Sequence, residues 1–489
     1  MLKIKSYVLK NFNLIYSFFL WVILCASINS YPRPINDYFI ISENLNGLEN
    51  EKVNFFFITI KYVINFLRSY LPHLSMIATL FIILHNKKKI TKNSFIIIFL
   101  LYIFFQAIGT ILNNEKNFTF ERSFLLFNSV HAVIAIYLFF LFKLEKYLNK
   151  LLIITIIPLF IIVGIHLYYV IKEYFENPLS QYLYGSQTWQ DIIFDNAFIR
   201  VTGLSRSLVL IGIFIFFLLF QKNNKFLIRN ILGFLFFITI FIIWWLQSRT
   251  AFYATPLIVS LFIFFIYKRN KILSIKSFAF IIICISLSFF LANEIFKHKK
   301  KFYLNINYST KEDNYSTKED NYSTKENNYS TKEDKTVSPN RLFNNVNYSS
   351  NRFLIWETML KNYKYEKIFG YGIQADRYDL GLNIPNNNSY NFYNNASNAF
   401  LYSFITGGYF GLIFFILINT YILIKIYLFF KKNTFNRHSI YLNTAIVSVL
   451  FLMLRNIVEN NYAVFSTDMI FFLIYSSIIT NDSKKYNQI

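Results

Sequence analysis

The chain has 489 residues and a formal net charge of +23, from 49 Lys and Arg against 26 Asp and Glu, which by itself is the balance of a nucleic-acid binder. Yet 55% of the residues are hydrophobic, only 15% are charged and Phe alone numbers 59, more apolar surface than so small a polar complement can cover in water. These figures exclude a water-soluble globular protein and leave a polytopic membrane protein. The excess of Asn, Ile, Lys, Phe and Tyr over Gly and Pro reads as AT-rich coding and says little about chemistry.

Apolar blocks of about 17 to 25 residues, the length that crosses a bilayer as a helix, recur along the chain. They predict an all-α integral membrane protein with about twelve transmembrane helices. The spans fall near 12–30, 69–85, 94–113, 122–142, 151–171, 203–220, 226–246, 250–267, 275–293, 399–424, 439–457 and 462–480. Lys3, Lys5 and Lys10 ahead of the apolar run Leu14 to Ser27 resemble a signal peptide, but with so many spans following, the first is read as uncleaved. Lys61 and Arg68 interrupt the stretch leading into the second. Cys25 and Cys284 lie inside apolar segments, without metal-ligand spacing.

Loop charge sets the orientation, because Lys and Arg are retained on the cytoplasmic side. The loops carrying Lys87 to Lys92, Lys143 to Lys150, Lys222 to Arg229 and Lys268 to Lys276 all fall on the side of the N-terminus, so both termini are expected in the cytoplasm. Residues 1–293 then carry spans one to nine. A large outer loop, 294–398, separates spans nine and ten, and 399–489 carries spans ten to twelve with the tail. The cytoplasmic segments hold roughly 23 basic and 2 acidic residues, which makes the +23 an orientation signal and not a nucleic-acid footprint.

Inside the outer loop, 307–334 is a tandem array reading NYSTKED four times, with Asn327 replacing one Asp. Each copy has a single Tyr and no second apolar position, so there is no coiled-coil seam, and the array reads as a disordered, solvated insertion. Every copy contains Asn-Tyr-Ser, an N-glycosylation acceptor pattern; a slippage repeat without a role is the plainer explanation. Helical periodicity returns within 350–380, where Phe353, Trp356 and Leu360 form one stripe behind Arg352.

Phosphate-binding glycine loops, dinucleotide fingerprints, HExxH and GxSxG are absent from the sequence, and no acidic metal cluster stands out, so neither cofactor nor metal is expected. The remaining polar residues gather at the outer ends of spans. Arg249, between two apolar helices, is either an interface anchor or a bidentate phosphate ligand. Arg200 and Arg206 open another span on the same side. Further on come Phe369-Gly370-Tyr371-Gly372, a turn built on glycine, and Ser397-Asn398-Ala399-Phe400-Leu401, which enters a span containing Gly407, Gly408 and Gly411, small residues expected to permit close helix contact.

Taken in order, Ser205-Arg206, Arg352-x-x-x-Trp356, Gly370-x-Gly372 and Asn398-x-x-Leu401 resemble the O-antigen ligase and polymerase superfamily. The resemblance implies transfer, on the periplasmic face of a bacterial inner membrane, of a glycan from an undecaprenyl-diphosphate donor to lipid A core or to another glycan. It implies that Arg200, Arg206 and Arg249 bind the donor diphosphate. Arg352 would line the same cavity, and Ser397, Asn398 and Glu357 would join the catalytic set. Where the family pattern has His before the Asn, this chain has Ser397, which is no general base near neutral pH unaided. Glu357, Asp376, Asp379 and Glu459 are the carboxylates available instead, and the missing His favours polymerase over ligase. The rival class is a transporter of the same lipid-linked glycans, but transporters place ionisable groups near mid-membrane, whereas here the polar residues gather at one face.

Overall fold

The helices begin where polar side chains meet apolar runs. In α1 (Ser94–Leu112) the Asn93 side chain caps the first turn by accepting from the Phe95 N–H at 3.1 Å, and the following residues supply no acid or base to the span. The computed structural model describes residues 93–113, 120–141, 201–219, 226–245, 352–365, 367–378, 380, 396–431 and 440–485, with individual helical positions within 73–84 and 279–291. After α1 come α2 (Phe120–Leu141), α3 (Val201–Leu219), α4 (Phe226–Trp245), α5 (Arg352–Asn362), the short α6 (Ala375–Tyr378), α7 (Ala399–Lys431), α8 (Ile440–Arg455), a 3-10 turn at Asn461–Ala463 and α9 (Thr467–Lys485). Among the described residues there is no strand.

Ser94–Leu112, Phe226–Ile243 and Ala399–Lys431 are long and apolar enough to cross a membrane. Shorter apolar helices run through Arg122–Leu138, Leu208–Leu219, Leu442–Arg455 and Asp468–Thr480. Exposed Phe104, Ile111 and Leu112 on α1, and exposed Ile413, Ile416 and Leu417 on α7, form apolar surface that lipid accepts and water does not. The protein is a membrane protein. Seven of the expected spans, those near 94, 122, 203, 226, 399, 439 and 462, coincide with described helices. Those at 12–30, 151–171 and 250–267, and the repeats at 307–334, lie outside the described residues.

The chain divides into two units, Met1–Phe160 with Ser349–Ile489, and Ile161–Tyr348. In the second, α3 and α4 pack antiparallel. Gly212 lies against Thr239, and the Phe216 and Phe236 rings are 5.6 Å apart. In the first, α1 and α7 form the central antiparallel pair, joined by an aromatic seam. Phe105 stacks on Phe410 at 4.9 Å and on Phe414 at 5.3 Å, Tyr102 meets Phe415 at 5.6 Å, and Phe95 meets Tyr421 at 6.3 Å. Each such pair contributes about 0.5–1.5 kcal/mol beyond the area it buries. α2 packs on α1 and α9, and α8 and α9 form a hairpin, with Tyr462 stacked on Phe472 at 3.6 Å.

Two departures from the sequence expectation shape the site. The last span was expected from 462, but Tyr462 is drawn under Phe472 in the 3-10 turn, and α9 starts only at Thr467. On α5 the expected stripe is turned: Phe353 is 67% and Leu360 38% exposed, while Met359, and beyond the helix Tyr363, are buried, with Trp356 half-buried between the two faces. The Trp356 indole N–H explains the rotation, because it donates to the Ala396 carbonyl and so fixes which face turns inward.

Candidate functional site

The site grows from a break in α7. Gly408 has φ 62° and ψ −153°, a conformation essentially reserved for glycine, and it divides the helix into a short entry segment and a long one. From Tyr409 to Lys431 the long segment spans about 35 Å at 1.5 Å per residue, enough for the hydrocarbon core without the entry segment. The break frees carbonyls that the Gly-x-Gly turn then takes up. Tyr371 and Gly372 N–H groups donate to the Ile405 and Thr406 carbonyl oxygens at 2.8 and 2.9 Å, and the Tyr409 N–H donates to the Ile368 carbonyl at 3.1 Å. Gly372 lies so close to α1 that a Cβ there would come within 2.4 Å of Thr110 Cα. Gly407 makes the ordinary helix contact expected of a small residue, against Gln106, whereas Gly408 serves the break.

A buried polar network backs this clip. Tyr102 donates to the Ala463 carbonyl at 2.8 Å and lies 3.0 Å from Ser403 Oγ, while Gln106 Nε2 donates to Tyr102 Oη at 2.7 Å and Thr406 Oγ1 at 3.1 Å. Thr110 Oγ1 accepts from the Ile373 N–H at 2.9 Å. At the tip of α1, Asn113 Nδ2 donates to the Gly370 carbonyl at 2.7 Å, and Lys367 Nζ donates to Asn113 Oδ1.

Asn398 is the N-cap of α7. Its Oδ1 accepts from the Phe400 and Leu401 N–H groups at 2.9 and 3.0 Å, its Nδ2 donates to the Ile457 carbonyl at 3.0 Å, and its own N–H donates to Asn460 Oδ1 at 2.9 Å. The Ala399 N–H donates to the Asn456 carbonyl at 2.8 Å. Asp376, fully buried, accepts from the Ala396 N–H at 2.9 Å and from Asn460 Nδ2 at 3.4 Å. Gln374, Ser397 and Asn461 are the non-glycine residues with positive φ among those described, at 59°, 42° and 29°. All three flank this knot, so the backbone strain of the described residues is concentrated where the motifs meet.

Asn398→Ala is expected to lower stability by about 1 kcal/mol through loss of the cap, read as a fall in thermal midpoint in detergent. Asn398→Asp, which keeps the accepting oxygen, is expected to recover most of it.

The residues singled out from sequence are distributed as follows. Arg352 opens α5, with Nη2 3.6 Å from Glu459 Oε1. Ser397 is half-buried beside the Asn398 cap. Glu357 stands on the exposed side of α5, 2.7 Å from Lys361 Nζ; that hydrogen bond, with the ammonium's charge, holds its carboxyl below the usual range. Arg206 is half-buried in the first turns of α3. Arg200, Arg249 and Asp379 lie outside the described residues. Arg455, Asn460 and Asp468 belong to the same knot and were not singled out. Opposite charges inside two successive predicted spans, Arg455 and Asp468, are the signal that could have found them, since charge in a span is seldom retained without a partner.

Fold and site together define a helical membrane protein in which the Gly-x-Gly turn, the start of a glycine-broken span and the turn after α8 share one hydrogen-bonded network. Residues 234–416 match the family model described as O-antigen ligase, which supports the O-antigen ligase and polymerase superfamily indicated by the motif order. O-antigen ligase-like glycan transfer is the general activity this family suggests. No curated protein and no solved structure matches the chain.

Proposed function

We propose that the protein transfers or polymerises a glycan carried on undecaprenyl diphosphate, at the periplasmic face of a bacterial inner membrane, with both termini in the cytoplasm. The carrying observation is that the matched segment 234–416 holds Arg249, Arg352, Gly370-x-Gly372 and Ser397-Asn398, three of these four motifs meeting in one knot.

The chemistry follows from charge. An acceptor hydroxyl oxygen bonds to the anomeric carbon as the bond from that carbon to the diphosphate oxygen breaks. The hydroxyl proton passes to a base, and negative charge grows on the leaving diphosphate. Arginines fixed in advance stabilise that charge more in the transition state than in the ground state. In this reading Arg200, Arg206 and Arg249 bind the diphosphate, and Arg352, at the start of α5, serves the transfer. Lipid A core as acceptor makes the reaction a ligation, and another glycan repeat as acceptor makes it a polymerisation. Ser397, in the place of the family's histidine, favours the second.

Deletion of the gene separates the two. Loss of a polymerase leaves surface lipid bearing one repeat unit, and loss of a ligase leaves long glycan on the carrier. Unchanged surface glycan and unchanged carrier-linked glycan would overturn the proposal.

A further inference from the structure

Arg352 does not stand alone at the start of α5. The Glu459 Oε1 that faces it at 3.6 Å also faces Arg455 Nη2 at 3.7 Å, and Arg455 Nη1 faces Asp468 Oδ2 at 3.9 Å. The side chains of Arg455 and Asp468 are 3% and 0% exposed, those of Arg352 and Glu459 27% and 25%. A line of alternating charge therefore runs from the buried root of the α8–α9 hairpin out to Arg352. The turn that presents Glu459 is itself held at three points, by the Ala399 N–H on the Asn456 carbonyl, by Asn398 Nδ2 on the Ile457 carbonyl, and by Asn460 between Asn398 and Asp376. Arg455, Glu459 and Asp468 lie beyond the matched segment, which ends at 416.

A long arginine side chain at a helix start samples many rotamers unless a partner selects one. Glu459 supplies the partner, and Arg455, paired in charge with the buried Asp468, faces the same carboxylate. With one carboxylate oxygen shared by two guanidinium groups, the geometry fits holding an arginine better than receiving an acceptor's proton.

We propose that Glu459 is the positioning residue of Arg352, with Arg455 and Asp468 as its buried anchor, so that the turn joining α8 and α9 is a working part of the glycan-transfer site. This rests on the proposed function, in which Arg352 serves the transfer.

The test is a double-mutant cycle on the purified full chain, assayed in detergent with carrier-linked glycan extracted from the deletion strain. Wild type, Arg352→Ala, Glu459→Gln, Glu459→Asp and the Arg352→Ala/Glu459→Gln double variant are compared, each first checked for monodisperse elution. Glu459→Gln is expected to lower kcat about 100-fold, the scale of a misplaced catalytic contact, with donor KM nearly unchanged. Glu459→Asp should restore a good part of that rate, and in the Arg352→Ala background the Gln change should cost less than about twofold, because its whole effect passes through Arg352. If Glu459→Gln fails to elute, Glu459→Ala on both backgrounds gives the same comparison.

Glu459→Gln as fast as wild type overturns the proposal, as does a loss of equal size with and without Arg352, which would place Glu459 on the substrate itself. A wild-type protein that forms no product removes the functional reading beneath it, a result distinct from active wild type with indifferent Glu459 variants.

Discussion

Arg249→Ala is expected to reduce glycan transfer by about 10²- to 10³-fold if, as proposed, Arg249 binds the donor diphosphate, the usual cost of removing one preorganised donor from developing negative charge. The loss should appear in kcat and kcat/KM together, because the diphosphate carries its greatest charge as the bond to the sugar breaks. Arg249→Lys separates charge from shape. An ammonium keeps the charge but not the two parallel N–H donors, so it should restore activity only in part. The measurement is initial rate on carrier-linked glycan, with insertion verified by detergent extraction. Full activity in a normally inserted Arg249→Ala protein would return Arg249 to the interface-anchor reading.

Gly408→Ala is expected to have the largest effect on folding. The backbone there has φ 62° and ψ −153°, which costs a non-glycine residue about 1–3 kcal/mol, and the added Cβ would lie 1.9 Å from the Ile368 carbonyl oxygen. That carbonyl accepts from the Tyr409 N–H, so the clash falls on the clip that joins the broken helix to the Gly-x-Gly turn. Relief by straightening the helix would withdraw the Ile405 and Thr406 carbonyls from Tyr371 and Gly372, and with them the support for the Asn398 end of the helix. The variant should lose most of its monodisperse, detergent-soluble fraction. A thermal midpoint within a degree or two of wild type would show that the break is dispensable.

The spans were legible because their signal is local. A run of apolar residues bounded by Asn93 or by Ser397-Asn398 fixes helix ends without reference to partners, and α1 and α7 start where the sequence places them. The break at Gly408 was not legible. A glycine pair in an apolar run reads as a close-packing surface, and only the approach of 368–372 turns one of the two into a hinge. The same limit applies to α5, whose inward face is chosen by the Trp356 bond to Ala396, a contact between residues far apart in sequence.

The candidate site was half legible. Arg352, the Gly-x-Gly turn and Asn398 were recognisable as motif fragments, and the fold joins them. Glu459 was visible only as a spare carboxylate, and Arg455 and Asp468 were hidden inside predicted spans, where charge of opposite sign is neutralised by a partner from the next helix. Asn398 has a physical task apart from any chemistry, since its side chain satisfies the opening N–H groups of α7 and ties them to the turn after α8.

The proposed reaction moves a glycan from a lipid diphosphate to an acceptor. Its most direct test is to incubate the purified full chain in detergent, where there is no membrane to cross, with carrier-linked glycan and a glycan or lipid A core acceptor, and to follow released undecaprenyl diphosphate and extended acceptor together. Both are expected to appear in equal amounts with wild type, and to fall together in Arg249→Ala. Carrier-linked glycan that remains intact with every acceptor, in protein that elutes as a single folded species, would contradict the account and leave the transporter class in its place.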